Sequence, residues 1–585
     1  MSLPAFCMVA AAPCAAQSVS VTYAQDIPKE LQDAIDARIP DAEPALSALQ
    51  AKRYSRRAQT LIKDTLNSYG YYDPALTSEI TLIEAKPLAT IDVDTGPLFT
   101  IGRADLKFMG PAPRAEDIAD LKSALTVKPG APAIPAEIID AERIIGARLR
   151  SVGYAFTQVE NREVIGDRDA ATISVRYTVQ SGARVRIGEV IYPTDIRTKT
   201  KYLDRLNPTE PGELYDPNQL ALYNSRLSDT RLFTTSGARL SDEPISNSPD
   251  GDTVYNIVLN AAERPRNTIA LGGNFGTDEG LGVSAELTRR NLTRRGDLLV
   301  ANLALAQRES GLDLIWRRPN ELGYGKGLIL TAAVLDKQTD AFDQQLARIG
   351  AGYEVVVGPE FGYNFGVRAQ VSREDDFEQV QDFQTLSAYG GVSIDKSNSV
   401  LDPTTGWRAE GRVVPTYAFG GSADGAFYAR GVAQVRGYLP FGKNDKYVAA
   451  GRLRLGTVVG AESNDIPADS RFYAGGGGSV RGYAFQAIGP VDDDNETPLG
   501  GRSLLDGSAE FRMRYNAKIG LVGFVDAGNI SDEQYPAFDN LRLGAGVGAR
   551  YQTPAGPVRL DVAIPLNPTE RDDDFQVYIS IGQAF

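Results

Sequence analysis

Between residues 268 and 585 the apolar residues return at every second position, segment after segment. In AEFRMRYN, Ala509, Phe511, Met513 and Tyr515 share one parity, and Glu510, Arg512 and Arg514 share the other. In GPVRLDVAIPL, Val558, Leu560, Val562 and Ile564 oppose Arg559 and Asp561. In GWRAEGRVV, Trp407, Ala409 and Val413 oppose Arg408, Glu410 and Arg412. A period of two is the side-chain period of a β-strand. Turn residues divide this half into about 16 such segments, and no second set of elements is available to cover their apolar faces. A soluble sandwich also alternates, but its polar face meets bulk water. A closed antiparallel barrel with lipid outside and a polar lumen inside fits the pattern and pairs every backbone group. The last segment, FQVYISIGQAF, keeps the alternation to the end: Phe575, Val577, Ile579, Ile581 and Phe585 fall on one face.

Residues 18–265 mix helical and strand periods, and they repeat. LNSYGYYDPAL (66–76), LRSVGYAFTQV (149–159) and LSDTRLFTTSG (227–237) each follow a helix-like stretch and place a Gly or Arg where a helix would stop. VDTGPLFTIG (93–102) and VQSGARVRIG (179–188) match at Gly96/Gly182, Ile101/Ile187 and Gly102/Gly188. The repeat is longer than that of a solenoid. It predicts three small α+β domains in tandem, each reading strand, helix, helix, strand, strand, with exposed sheet edges. The expected organisation is a signal-like segment at 1–17, α+β domains at 18–96, 97–182 and 183–265, and a barrel at 266–585.

The chain has no histidine among 585 residues, which excludes a histidine-liganded metal, a Ser-His-Asp triad and a Cys-His dyad. Its formal charge of −14 and the lack of a basic cluster argue against nucleic acid as a partner. VDDDNE (491–496) and RDDDF (571–575) have no EF-hand spacing and nothing to fix a carboxylate pair, so they read as solvated loop charges. GGGGS lacks the Lys-Ser/Thr of a phosphate-binding loop. No catalytic residue, metal or cofactor is expected. The opening MSLPAFCMVAAAPCAAQ is apolar and small-residue-rich like the end of a secretory signal, although its start carries no positive charge. The only cysteines, Cys7 and Cys14, lie within it, so a processed chain would have none. No apolar run of about 18 residues exists to form a transmembrane helix.

One stretch is costly to order. GGGGSVRGYAFQ (475–486) spends four consecutive glycines to deliver a single arginine. Val480-Arg481-Gly482-Tyr483, in a long loop running roughly over 460–503, and Gly523-Phe524-Val525-Asp526-Ala527-Gly528, on a later strand, resemble the VRGY and F-x-D-x-G motifs of outer-membrane assembly and translocation barrels that carry POTRA domains. LDPTTGWR (401–408) and YQTPAGPVRLDVAIPL (551–566) are similar to segments of the same superfamily. With three repeats, and with the segment SVRGYAFQAIGP, the chain is similar to the TamA (translocation and assembly module) branch. The BamA-type insertase usually carries five repeats. Two-partner secretion transporters usually carry two, behind a plug helix and a Pro-rich linker that have no counterpart here.

The resemblance implies a barrel in the bacterial outer membrane with its POTRA domains in the periplasm. It also implies that the loop folds back into the lumen, that Phe524, Asp526 and Gly528 face inward, and that Asp526 receives Arg481. The tetraglycine is expected to supply backbone angles closed to other residues. The implied work is assembly of autotransporter-type or other β-barrel clients, in contact with outer-membrane lipids and with a TamB-like periplasmic partner anchored in the inner membrane. The alternatives are a two-partner-type secretion pore, or a lipid-transport conduit with the same partner. A selective pore lined by Glu510, Arg512, Arg514, Arg559 and Asp561 is a further reading, though a porin has no use for three periplasmic domains. The first barrel strand contains Gly272, Gly273 and Gly276, which pack nothing and weaken pairing. Its closing partner is the strand ending at Phe585, so this seam is the expected entry for clients by strand addition.

Overall fold

A computed structural model describes residues 19–39, 45–83, 86–248, 250–276, 280–376, 379–442, 445–492, 497–553 and 556–581. The signal-like segment with Cys7 and Cys14, residues 493–496 of the acidic run, and Phe585 lie outside the described residues. The chain forms two compact units. The first comprises Met1–Tyr192, Pro208–Ser225 and Gly237–Asn260; the second comprises Pro193–Asn207, Arg226–Ser236 and Ala261–Phe585.

The N-terminal part is POTRA-like α/β structure. The first sheet holds β1 (Val19–Tyr23), β2 (Ala75–Ile83) and β3 (Lys86–Asp94) in the order β1-β3-β2, covered by α1 (Lys29–Arg38) and α2 (Ala48–Ser68). Ser47 caps α2 by accepting from the Gln50 amide at 3.2 Å. Leu31, Ile35, Ile62 and Leu66 bury one face of the helices against Ala89, Ile91 and Val93. The next sheet holds β4 (Thr100–Phe108), β5 (Gln158–Val159), β6 (Glu163–Asp167) and β7 (Thr172–Gln180), with α3 (Ala115–Ala124) and α4 (Pro135–Ser151). The last holds β8 (Val185–Ile191), β9 (Phe233–Leu240), β10 (Ser246–Asn247) and β11 (Thr253–Glu263), with α5 (Thr200–Asp204) and α6 (Pro217–Asp229). The second and third repeats therefore carry a short extra strand that the alternation pattern did not reveal. The three aligned helix stops share one backbone feature. Gly70, Gly153 and Arg231 all take positive φ, at 92°, 102° and 54°. The stop survives in the third copy even though its residue is an arginine.

Sixteen antiparallel strands follow and close on themselves. They are β12 (Asn267–Gly276), β13 (Gly280–Arg290), β14 (Leu298–Ala306), β15 (Glu309–Arg318), β16 (Lys326–Gln338), β17 (Asp343–Val357), β18 (Phe361–Asp375), β19 (Val380–Asp395), β20 (Gly406–Phe419), β21 (Phe427–Phe441), β22 (Tyr447–Val459), β23 (Ser503–Arg514), β24 (Ile519–Ser531), β25 (Arg542–Thr553), β26 (Gly556–Pro565) and β27 (Gln576–Ile581). The apolar parity faces outward: Leu271, Val334, Ile349, Val367, Leu386 and Val547 are all exposed. The polar parity faces a lumen in which Asp506, Asp526 and Asp561 are fully buried. This division is the one a barrel in lipid requires. No helix among the described residues is long and apolar enough to cross a membrane.

Pairing is uneven around the ring. The register of β26 with β27 runs over six pairs, from Val558–Ile581 to Ala563–Gln576. Across the closing seam, β12 meets β27 in only two among the described residues, Phe275–Ile579 and Gly276–Tyr578. Gly272 and Gly273 pair on their other side, with Ser284 and Val283 of β13.

A closed barrel of this kind resists detergent until it is heated. The unheated protein is expected to migrate apart from the boiled protein on a denaturing gel, and to sediment with outer membranes. Identical migration together with a soluble periplasmic protein would contradict the barrel.

Candidate functional site in the barrel lumen

The segment from Phe472 to Ile488 in the connection between β22 and β23 folds into the lumen. Phe472, Ala474, Val480, Tyr483 and Ile488 of this loop pack against lumen residues such as Phe383, Leu504 and Ile530. The tetraglycine plays several roles in getting it there. Gly475 and Gly476 take positive φ, at 111° and 86°. At Gly477 a Cβ would come within 2.9 Å of the Tyr578 ring, and at Gly478 it would meet nothing. The expectation of unusual angles thus holds for the first two glycines and not for the last two.

Arg481 is 2% exposed, and its guanidinium donates five hydrogen bonds. Nε reaches Asp526 Oδ2 at 2.7 Å and Nη2 reaches Asp526 Oδ1 at 2.9 Å, a two-pronged grip. Nη1 donates to Glu510 Oε1 at 2.8 Å and to Asp561 Oδ2 at 3.3 Å, and Nη2 also donates to Ser508 Oγ at 3.1 Å. A guanidinium has five N–H groups, so every donor is used. The Arg481 backbone amide adds a bond to Asp526 Oδ2 at 3.0 Å. Beneath it, the Phe524 ring centroid lies 3.4 Å from the guanidinium carbon, a cation–π contact.

The neighbouring motif residues have equally specific tasks. At Gly528 a Cβ would stand 2.6 Å from Val480 Cγ2, so glycine leaves the seat for that valine. At Gly482, φ is +102° and a Cβ would strike the Ile564 backbone at 2.7 Å. Tyr483 donates to Asn567 Oδ1 at 2.7 Å and to the Leu543 carbonyl at 3.1 Å. Tyr578, on the last strand, accepts from the Gly482 amide and donates to the Tyr483 carbonyl, both at 3.3 Å. The loop motif therefore touches a strand of the seam. Gly272, Gly273 and Gly276 lie on the seam's other strand.

Sequence reasoning missed part of this site. Glu510 and Asp561 read as charges lining an open pore; instead they complete the shell around Arg481. Arg512 donates to Glu510 Oε2 at 2.8 Å, and Arg550 pairs with Asp561. Ser508 also donates to Asp526. The available signal was parity: Ser508, Glu510 and Asp561 share the inward face with Asp526. A second polar group went unnoticed at the periplasmic base, where Arg197 Nε meets Glu263 Oε2 at 2.7 Å and Trp316 Nε1 meets Asp297 Oδ2 at 3.0 Å. Burial pushes the Glu263 carboxyl up, but hydrogen bonds from Thr198 and Arg197 outweigh it and hold it below the usual carboxylate range.

Replacing Arg481 by Ala strips this shell of its central cation. Removing one partner of a buried pair costs about 3–5 kcal/mol. The barrel is expected to remain closed and heat-modifiable, while the loosened loop raises conductance in a planar lipid bilayer. Arg481→Lys should fall between wild type and Ala, since an ammonium has three donors and no fork. Asp526→Asn should resemble Arg481→Ala. Unchanged conductance in all three would contradict a plug held by this residue.

The profile of the Omp85 superfamily domain matches residues 291–585, half of the chain. A profile described as POTRA domain, TamA domain 1, matches residues 25–95, and one described as surface antigen variable number repeat matches 114–182. The outer membrane protein assembly factor BamA of Nitratidesulfovibrio vulgaris is 24% identical over 466 residues, covering 76% of this chain and 57% of that protein. The chain thus spans little more than half the length of that relative. BamA of Neisseria meningitidis serogroup B is 22% identical over 587 residues, covering 90% of this chain and 72% of that protein. The crystal structure of Haemophilus ducreyi BamA lacking POTRA domains 1–3 superposes with a TM-score of 0.69 at 18% identity, covering 83% of this chain and 100% of that one, a likeness of fold. With the closed barrel, the POTRA-like modules and the inward loop, these matches place the chain in the Omp85 superfamily, as an outer-membrane β-barrel with periplasmic POTRA domains.

Proposed function

We propose that the protein is an outer-membrane protein assembly factor of the TamA kind, without catalytic chemistry of its own. The observation that carries this reading is the seam. Among the described residues β12 and β27 share two register pairs, while the loop motif is bonded to Tyr578 on β27. A weakly paired seam is the place where an incoming strand can add its backbone to a free edge. The loop bonded beside it is placed to respond when the seam opens. BamA relatives, named as assembly factors, support client assembly in general. The match of residues 25–95 to the first TamA domain supports the narrower branch. In that reading the clients are autotransporter-type or other outer-membrane barrels. The POTRA domains bind a TamB-like periplasmic partner by adding strands to their sheet edges, and the barrel acts on the surrounding lipid.

The test locks the seam. In a chain with Cys7 and Cys14 replaced by serine, Phe275→Cys and Ile579→Cys place two thiols at facing positions, within the Cα separation a disulfide tolerates. Oxidation is expected to stop insertion of a barrel client into liposomes, and reduction to restore it. Full activity of the fully cross-linked protein would rule out client entry at this seam.

A further inference from the structure

The loop that delivers Arg481 meets the barrel at a second place, on strands β17, β18 and β21. Ala468–Ser470 form a single 3-10 turn inside the lumen. The Ala468 amide donates to Glu374 Oε2 at 2.8 Å, and Gln344 Nε2 donates to Glu374 Oε1 at 2.7 Å. Gln370 Nε2 donates to Asp469 Oδ2 at 2.9 Å. The Tyr428 and Ser470 hydroxyls bond each other at 2.9 Å, and Tyr473 donates to the Ala468 carbonyl at 3.1 Å. The Arg430 guanidinium lies 4.2 Å over the Phe472 ring. Glu374 and Gln344 are 3% and 1% exposed. Polar groups so deeply buried need hydrogen-bond partners, and for Glu374 one of them is the loop's own backbone.

Three features make this more than an extension of the Arg481 site. None of its barrel residues belongs to β23, β24 or β26, which hold Arg481. Its chemistry differs: the loop contributes a backbone amide and the carboxylate of Asp469, met by Glu374 and Gln370 of the wall, whereas the other site receives a guanidinium. Gly475 and Gly476, with their positive φ, fall between the two sites. Glycine is the residue with the most backbone freedom, and these two carry the turn of the chain from one site to the other.

We propose that Pro467–Tyr473 is a second, independent latch. Glu374, Gln370 and Tyr428 are its positioning residues, holding the first half of the loop in the lumen when Arg481 is released. The loop then leaves the lumen in two steps. This deepens the assembly reading, which needs a movable loop, but the test below reads the loop alone and involves no client.

The experiment uses single-cysteine reporters, Ala468→Cys or Ser479→Cys, in the full chain with Cys7 and Cys14 replaced by serine. A membrane-impermeant maleimide is added to the barrel in liposomes. Glu374→Ala is expected to speed labelling at position 468 by about tenfold or more, as for a local opening, and to leave position 479 unchanged. Arg481→Ala is expected to do the reverse. If Glu374→Ala does not give a heat-modifiable barrel, Gln370→Leu combined with Tyr428→Phe takes its place. Equal acceleration at both positions by Arg481→Ala alone would mean that the loop releases as one body and would overturn the proposal. So would an unchanged rate at position 468 when the second latch is removed. If the latch stands while seam cross-linking leaves client insertion intact, only the assembly mechanism fails.

Discussion

An unpaired backbone N–H or C=O in hydrocarbon costs several kilocalories per mole, and the fold of residues 267–581 follows from avoiding that cost. Strands can satisfy it only by pairing on both sides, so the sheet must meet itself. Fifteen of the sixteen junctions join strands that are neighbours in sequence. The closing one joins strands from opposite ends of the barrel. It is also where the requirement is least fully met among the described residues, at Phe275–Ile579 and Gly276–Tyr578. The proposed line of opening lies at this junction, whose position is set by topology rather than by any special side chain.

Closure creates the second condition. Once the outer parity is given to lipid, every polar residue of the inner parity shares a confined lumen, where a lone charge is expensive. Glu510, Asp526 and Asp561 on three different strands need cations, and Arg512 and Arg550 answer only two of them in part. The third cation arrives on the loop. Arg481 fits because all five of its N–H groups find acceptors, and because Phe524 and Gly528 shape the floor and the neighbouring seat. Such an arrangement need not raise stability over an apolar core. What it fixes is one loop position among many.

How much of this was legible in the sequence varied with the kind of information each feature uses. The barrel was legible because a period of two is written into every strand, and parity alone sorted Phe511 outward and Glu510 inward. The helix stops were legible at Gly70 and Gly153. Arg231 showed that the backbone conformation, not glycine itself, is what repeats. The shell around Arg481 was only partly legible, because which residue stands opposite which depends on register across strands distant in sequence. Ser508 stands across from Asp526 by the pairing of β23 with β24, and no local pattern records that. The latch at Ala468 was not legible at all. Its central bond uses a backbone amide, a group every residue except proline possesses.

The two loop contacts carry more information together than either does alone. A loop held only at Arg481 could pivot about that point. A second contact of the same kind would allow the two to exchange places. Here the partners differ: Arg481 enters a wall of carboxylates, whereas the Ala468 amide and the Asp469 carboxylate meet Glu374 and Gln370 through hydrogen bonds. An exchanged loop would leave Asp526, Glu510 and Asp561 without the Arg481 cation in a medium that screens poorly. Specificity of this kind comes from penalising the wrong arrangement as well as from favouring the right one. Within the wall, the lumen arginines Arg452 and Arg454 pair with Asp506, Arg512 with Glu510 and Arg550 with Asp561, so displacing the loop removes one cation, Arg481, from a wall that is otherwise paired at these residues.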